Sequence, residues 1–139
     1  MTTHRVFVYG TLKSGLWNNG LLAGIAHTDA VTKDKYKMQS GRVPFLLAGD
    51  VAQVRGEVYE VDDHVLRRLD LLEGYDPGHH GRGTYNREKI DVLLRSDNGF
   101  DRPAKAYAYI VNRDVARPYT ELDADGYIDW RPLEAGLQL

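Results

Sequence analysis

The sequence predicts an α+β domain whose sheet is curved or barrel-like. Three observations carry that expectation. Several strand-like segments run through the chain, one segment alone has strong helical periodicity, and 139 residues suit one domain. We expect residues 1–139 to form that domain, without internal repeat, low-complexity tract or linker.

Taken in order, Arg5 to Tyr9 reads as a short, fully buried strand of β-branched and aromatic residues, stopped by Gly10. Residues 10–20 hold Gly10, Ser14, Gly15, Asn18, Asn19 and Gly20, the composition of a loop. Gly24 to Thr32 and Lys35 to Ser40 are weaker strand candidates, and Gly41-Arg-Val-Pro44 breaks the pattern. Gln53 to Val61 is a strong strand. From Asp63 to Glu73, apolar residues at Val65, Leu66, Leu69 and Leu72 have helical spacing. Asp62 and Asp63 offer N-cap oxygens, Gly74 suits the closing position and Pro77 lies just beyond. The helix should run about three turns. Tyr85 to Arg95 and Ala104 to Val111 read as a strand pair around the turn signal Asp97-Asn98-Gly99. After Pro118 the chain reads as loop.

Composition excludes several classes of function. The 18 basic and 20 acidic residues leave a net charge of -2, which gives no electrostatic reason to expect nucleic acid or an acidic membrane. Cysteine is absent, so disulfides, thiolate metal sites and a cysteine nucleophile are excluded. The four apolar residues Val6-Phe7-Val8-Tyr9 are too few for a signal-peptide core or a membrane span. The cytoplasm is the expected location.

Several short motifs fail on inspection. Gly10 and Gly15 have the spacing of a phosphate loop, but Leu16-Trp17 stands where Lys-Ser/Thr is required. Gly78, Gly81 and Gly83 do not follow a strand and open a helix. Asp123-x-Asp125-Gly126 lacks the spacing and closing glutamate of a calcium loop. His79-His80 has no nearby carboxylate pair to complete a metal site. Ser14, Ser40 and Ser96 lie in no Gly-x-Ser-x-Gly elbow.

Two sites remain. Leu66, Leu69 and Glu73 share one helix face at i, i+3 and i+7. That face is apolar, so the Glu73 carboxyl is aimed inward from the last turn. Burial and the carbonyl end of the helix both disfavour its charge, which raises its pKa toward the range a general acid/base needs. The alternative is a fraying helix end with Glu73 in water. At Tyr9-Gly10-Thr11-Leu12, a glycine after a buried strand lets backbone N–H groups converge on an anion or oxyanion. The alternative is an ordinary strand-ending turn.

Taken together, these residues resemble the gamma-glutamylcyclotransferase family, which includes gamma-glutamylamine cyclotransferases and plant AIG2-like (avirulence-induced-gene) proteins. Val6-Phe-Val-Tyr-Gly-Thr-Leu-Lys13, followed by Gly15 and Asn18, looks like its N-terminal signature. Gly56-Glu-Val-Tyr59 is similar to the strand before its catalytic helix. Leu69-Asp-Leu-Leu-Glu73-Gly-Tyr75 looks like its catalytic segment, and Tyr85-Asn-Arg87 like the Tyr-x-Arg that follows. Asn18-Asn19 departs from the Asn-His pair frequent in the family. The resemblance runs in order from Val6 to about Val111.

It implies a small twisted β-barrel of mostly antiparallel strands with flanking helices. It implies a pocket between the loop and the helix end, with Glu73 catalytic and Tyr9, Gly10, Thr11, Leu12 and Tyr85 binding a small gamma-glutamyl substrate. It also implies a reaction, attack of the substrate's α-amine on its own γ-amide carbonyl to give 5-oxoproline and a free amine. That chemistry requires no metal or cofactor. Arg87 shares the Tyr85 strand face, where a structural salt bridge is the competing role. A binding module on the same fold, holding a small amine or carboxylate without turnover, is the competing function.

Overall fold

The computed structural model describes residues 2–79 and 83–132. Its frame is a closed five-stranded barrel. Around the barrel run β1 (Thr3–Val8), β5 (Arg55–Asp62), β2 (His27–Thr32), β6 (Tyr85–Leu94) and β7 (Arg102–Val111). Neighbours are antiparallel except at the closure, where β1 meets β7 in parallel at Val6 and Tyr107. A separate antiparallel hairpin, β3 (Tyr36–Ser40) and β4 (Pro44–Ala48), packs against β7. Among the described residues there is one α-helix, α1 (Asp63–Glu73), and one 3-10 turn, Asn19–Leu22.

Along the second half of β1 the barrel wall is buried on both faces, and this explains that strand's pattern. On β1, Phe7 joins an interior core with Val58, Val92, Ala106 and Ala108. Its neighbours Val6 and Val8 face outward, into a second core with Tyr59, Val61, Leu66, Leu69 and Tyr109. A strand covered on both faces reads as a continuous apolar run, as Val6 to Tyr9 does, whereas Arg5, expected to be buried with them, is exposed and pairs with Glu60. The alanines at 106 and 108 suit the narrow interior of a small barrel.

α1 starts where β5 ends. The Asp62 carboxylate accepts the Val65 N–H at 2.9 Å and caps the first turn. Gly74 closes the helix at φ 69, a left-handed conformation in which glycine carries no Cβ penalty. The expected helix therefore forms over the expected residues, and its Leu66 and Leu69 lie flat on the barrel wall.

Two segments differ from the sequence expectation. Gly41 to Pro44, read as a break, is the turn of a hairpin whose second strand, β4, was not expected. Pro44 is the first residue of that strand, where its missing N–H leaves no ladder bond unmade. The segment after Pro118 has no regular strand, as expected, yet Ile128 and Trp130 are buried in the barrel core. Lys13 fastens this segment, donating to the Trp130 carbonyl at 2.7 Å and pairing with Asp129 at 3.1 Å.

Candidate functional site

The end of β1, the end of α1, the start of β6 and the β3–β4 turn converge on a cavity of about 200 Å³. Its lining includes every residue the sequence singled out for the site: Tyr9, Gly10, Thr11, Leu12, Glu73 and Tyr85. Phe7, Val8, Asn18, Val43, Pro44, Leu72 and Tyr109 complete the walls. The topology explains the meeting. β1 and β7 are parallel, so their C-terminal ends open at the same end of the barrel. β6 runs antiparallel to β7 and therefore brings its first residue, Tyr85, to that end too.

Glu73 is half-buried, because its carboxyl borders the cavity while protein crowds the rest of it. Among the described residues it makes no hydrogen bond and no ion pair. Burial alone pushes its carboxyl up to about 7 from the ordinary value near 4.5. The sequence reading anticipated the direction.

The tyrosine hydroxyls point elsewhere. Tyr85 donates to the Pro44 carbonyl at 2.7 Å and its ring stacks on Phe45. Tyr9 donates to the Tyr109 carbonyl. Tyr109 donates to the Asp70 carboxylate at 2.7 Å. Burial holds all three phenols well above their ordinary range, with the Glu73 charge adding to each. They remain neutral walls around the carboxyl and give it no proton of their own.

The loop is a tight turn, closed by the Lys13 N–H on the Gly10 carbonyl at 3.0 Å. The two asparagines brace it. Asn18 donates to the Thr11 hydroxyl at 2.8 Å, and Asn19 to the Leu12 carbonyl at 2.8 Å and the Tyr59 hydroxyl at 3.1 Å. The N–H groups of Gly10, Thr11 and Leu12 have no acceptor among the described residues. That leaves three donors at the rim of a cavity whose one charged side chain is a carboxyl with a raised pKa. Gly10 has a second task. A Cβ there would stand 2.5 Å from Cγ of Pro44, so the glycine admits the hairpin corner that forms one wall.

The residues doubted on sequence grounds have structural partners. Arg87 pairs with Asp70 at 2.7 Å and lies over the rings of Tyr107 and Tyr75. Asp123 accepts the N–H groups of Asp125 and Tyr127 and pairs with Arg55, which fits a capped turn rather than an ion site. His79 pairs with Asp76 on the surface, whereas His80 and Gly81 lie outside the described residues. Among the described residues the metal-ligating types gather elsewhere, at His27, Asp29 and Glu57, with ligand atoms within 4.8 Å. Glu57 there already accepts from Ser14 and Tyr59.

Sequence reasoning missed Asp70, Tyr109, Val43, Pro44 and Leu72. Asp70 carried a legible signal, an acidic residue next to Leu69 on the buried helix face. The others belong to the site only through tertiary contact.

Comparison with known proteins adds to this geometry. Residues 6–132 match the family described as "Gamma-glutamyl cyclotransferase, AIG2-like". A Methanocaldococcus jannaschii protein, provisionally named a gamma-glutamylcyclotransferase, is 36% identical over 111 residues, covering 75% of this chain and 82% of that protein. Gamma-glutamylaminecyclotransferase A of Danio rerio is 37% identical over 114 residues, covering 74% of this chain and 67% of that protein. A solved structure titled "Gamma-glutamyl cyclotransferase" superposes with a TM-score of 0.57 at 17% identity, over 86% of this chain and 72% of the other. At that identity the likeness concerns the fold.

Proposed function

This chain belongs to the gamma-glutamyl cyclotransferase, AIG2-like family, and from that premise we propose that it cyclises a gamma-glutamyl amine or gamma-glutamyl amino acid with Glu73 as the general acid/base. One observation carries the proposal. A carboxyl pushed up to about 7 and the N–H groups of residues 10–12, which have no acceptor among the described residues, line the same small cavity.

Each step has a residue to perform it. The substrate's α-ammonium, with an ordinary pKa of about 8, gives a proton to the Glu73 carboxylate. The freed amine nitrogen attacks the γ-carbonyl carbon, forming the C–N bond of a five-membered ring and placing the electron pair on oxygen. The loop N–H groups offer donors to the substrate's anionic oxygens, the α-carboxylate or the developing oxyanion. The ring nitrogen gives up its second proton as the intermediate collapses, the bond to the leaving nitrogen breaks, and Glu73 carries both protons in turn from the attacking nitrogen to the leaving one. The products are 5-oxoproline and a free amine.

A carboxyl near neutrality suits both proton transfers, since it accepts and releases at similar driving force. The neutral tyrosine walls and the cavity's size favour a folded γ-glutamyl chain. Such confinement can supply several kcal/mol of a ceiling of about 7–11 kcal/mol available to well-oriented intramolecular attack.

The test is to incubate the protein with a panel of gamma-glutamyl amino acids, amines and an isopeptide. 5-Oxoproline and free amine should form in equal amounts. Binding without either product would favour the non-catalytic module instead.

A further inference from the structure

Glu73 makes no hydrogen bond among the described residues, so its aim is set by the last turn of α1. That turn is fastened at Asp70. Its Oδ1 accepts the Tyr109 hydroxyl and its Oδ2 accepts Nη1 of Arg87, both at 2.7 Å. Its carbonyl accepts the N–H groups of Gly74 and Tyr75, on either side of which the helix ends. The side chain is 6% exposed. Arg87 in turn lies 5.3 Å from the ring of Tyr75 and 4.7 Å from that of Tyr107. Tyr109 lines the cavity, and its carbonyl takes the hydroxyl of Tyr9, the residue that leads into the loop. One carboxylate thus ties the helix end to β6 and β7, and through β7 to the loop.

We propose that Asp70 is a positioning residue for the cyclisation: bound by Arg87 and Tyr109, it fixes the Glu73 carboxyl opposite the loop and holds a neighbouring positive charge neutralised. The inference rests on the reading of Glu73 as acid/base. The titratable groups that face Glu73 are Tyr9 at the end of β1, Tyr85 on β6 and Tyr109 on β7. The charges next to them are Asp70 on the same helix and Arg87 on β6. Asn18, Val43, Pro44 and Leu72, from the other walls, do not titrate. While the ion pair is intact its charges cancel at the cavity, which agrees with burial being the cause of the raised Glu73 pKa. Breaking the pair leaves a cation near the carboxyl, and a cation favours the charged form.

The test is Asp70→Asn, which preserves shape and removes the charge. We expect kcat to fall on the order of 10²-fold, the scale of about 1 Å of misplacement at a reacting group. KM should change far less. The acid limb of the rate profile should move to lower pH, and carbon NMR titration of Glu73 should show the same shift without depending on turnover. Adding Arg87→Gln to that variant should return the limb to its original position while kcat stays low. Tyr109→Phe and Arg87→Lys keep the net charge, and each should lower kcat with the limb unmoved. They decide the matter should Asp70→Asn not fold. A folded Asp70→Asn protein with wild-type kcat and Glu73 titration would overturn the proposal, as would unchanged kcat in both charge-preserving variants. A wild-type protein that forms no 5-oxoproline would overturn the reading of the reaction instead, and the NMR titration would still report whether Asp70 shields Glu73.

Discussion

At Glu73, burial raises the carboxyl to about 7 from near 4.5, so between those pH values the folded protein binds more protons than the unfolded chain. Stability must then fall as pH rises through this window and level off above about 7. The site is therefore a stability cost at neutral and alkaline pH, at most about 3 kcal/mol from the size of the shift, and lessened by the solvent in the cavity. Glu73→Gln removes it. The variant should melt above wild type at pH 8, and the difference should shrink toward pH 4. Equal melting temperatures at pH 8 would mean that the carboxyl is not penalised by its surroundings. The same group should set the acid limb of kcat/KM near pH 7, where more of the active base appears as pH rises. Gly10 makes a second residue-scale case. Its Cβ would collide with Pro44 at 2.5 Å, and Pro44 carries the carbonyl that holds Tyr85. Gly10→Ala should therefore cost about 1–3 kcal/mol, the usual range for overpacking, and raise KM by moving a cavity wall. Stability and KM both at wild-type values would show that the corner yields freely. The sequence marked Gly10 for its backbone N–H groups; the Pro44 contact is a further reason that no local pattern carries, since it lies 34 positions away in the chain.

Among the elements, α1 was the most legible and β4 the least, for opposite physical reasons. The helix declares itself locally: a 3.6-residue apolar period, an aspartate before it and a glycine after it all act within one stretch of chain. β4 is a five-residue strand that begins with proline and depends on β3 for every ladder bond. Nothing within the segment itself separates it from a loop. The Asp70 cluster was hidden in the same way, since its partners come from 17 and 39 positions along the chain. The N-cap permits a test confined to the element. Asp62→Ala should destabilise the protein by about 1 kcal/mol in denaturant unfolding, with the slope of the transition unchanged. A loss too small to measure would mean that the packing of Leu66 and Leu69 holds the helix without its cap.

The whole molecule explains why an ordered set of weak motifs pointed to one site. The resembling segments lie far apart along the chain, and the barrel brings their ends together: β1 through its last residues, β6 through its first, and α1 through its last turn. The barrel-like sheet was expected, whereas the hairpin roof and the burial of Ile128 and Trp130 follow from contacts that no local pattern encodes. The cavity walls hold one carboxyl, and the His27, Asp29 and Glu57 group lies outside its lining. The proposed ring closure is intramolecular and draws on that carboxyl and backbone donors, so a chelator should leave the rate unchanged. Loss of activity in chelator, restored by one divalent metal, would refute this part of the account. The central claim is that Glu73 moves the proton. Its most direct test is 5-oxoproline formation by Glu73→Gln beside wild type, on a substrate that wild type turns over, with folding checked by circular dichroism. The account predicts a folded variant slower by roughly 10²–10⁴-fold, the usual contribution of a positioned acid/base. A folded variant at near wild-type rate would contradict it and require another base.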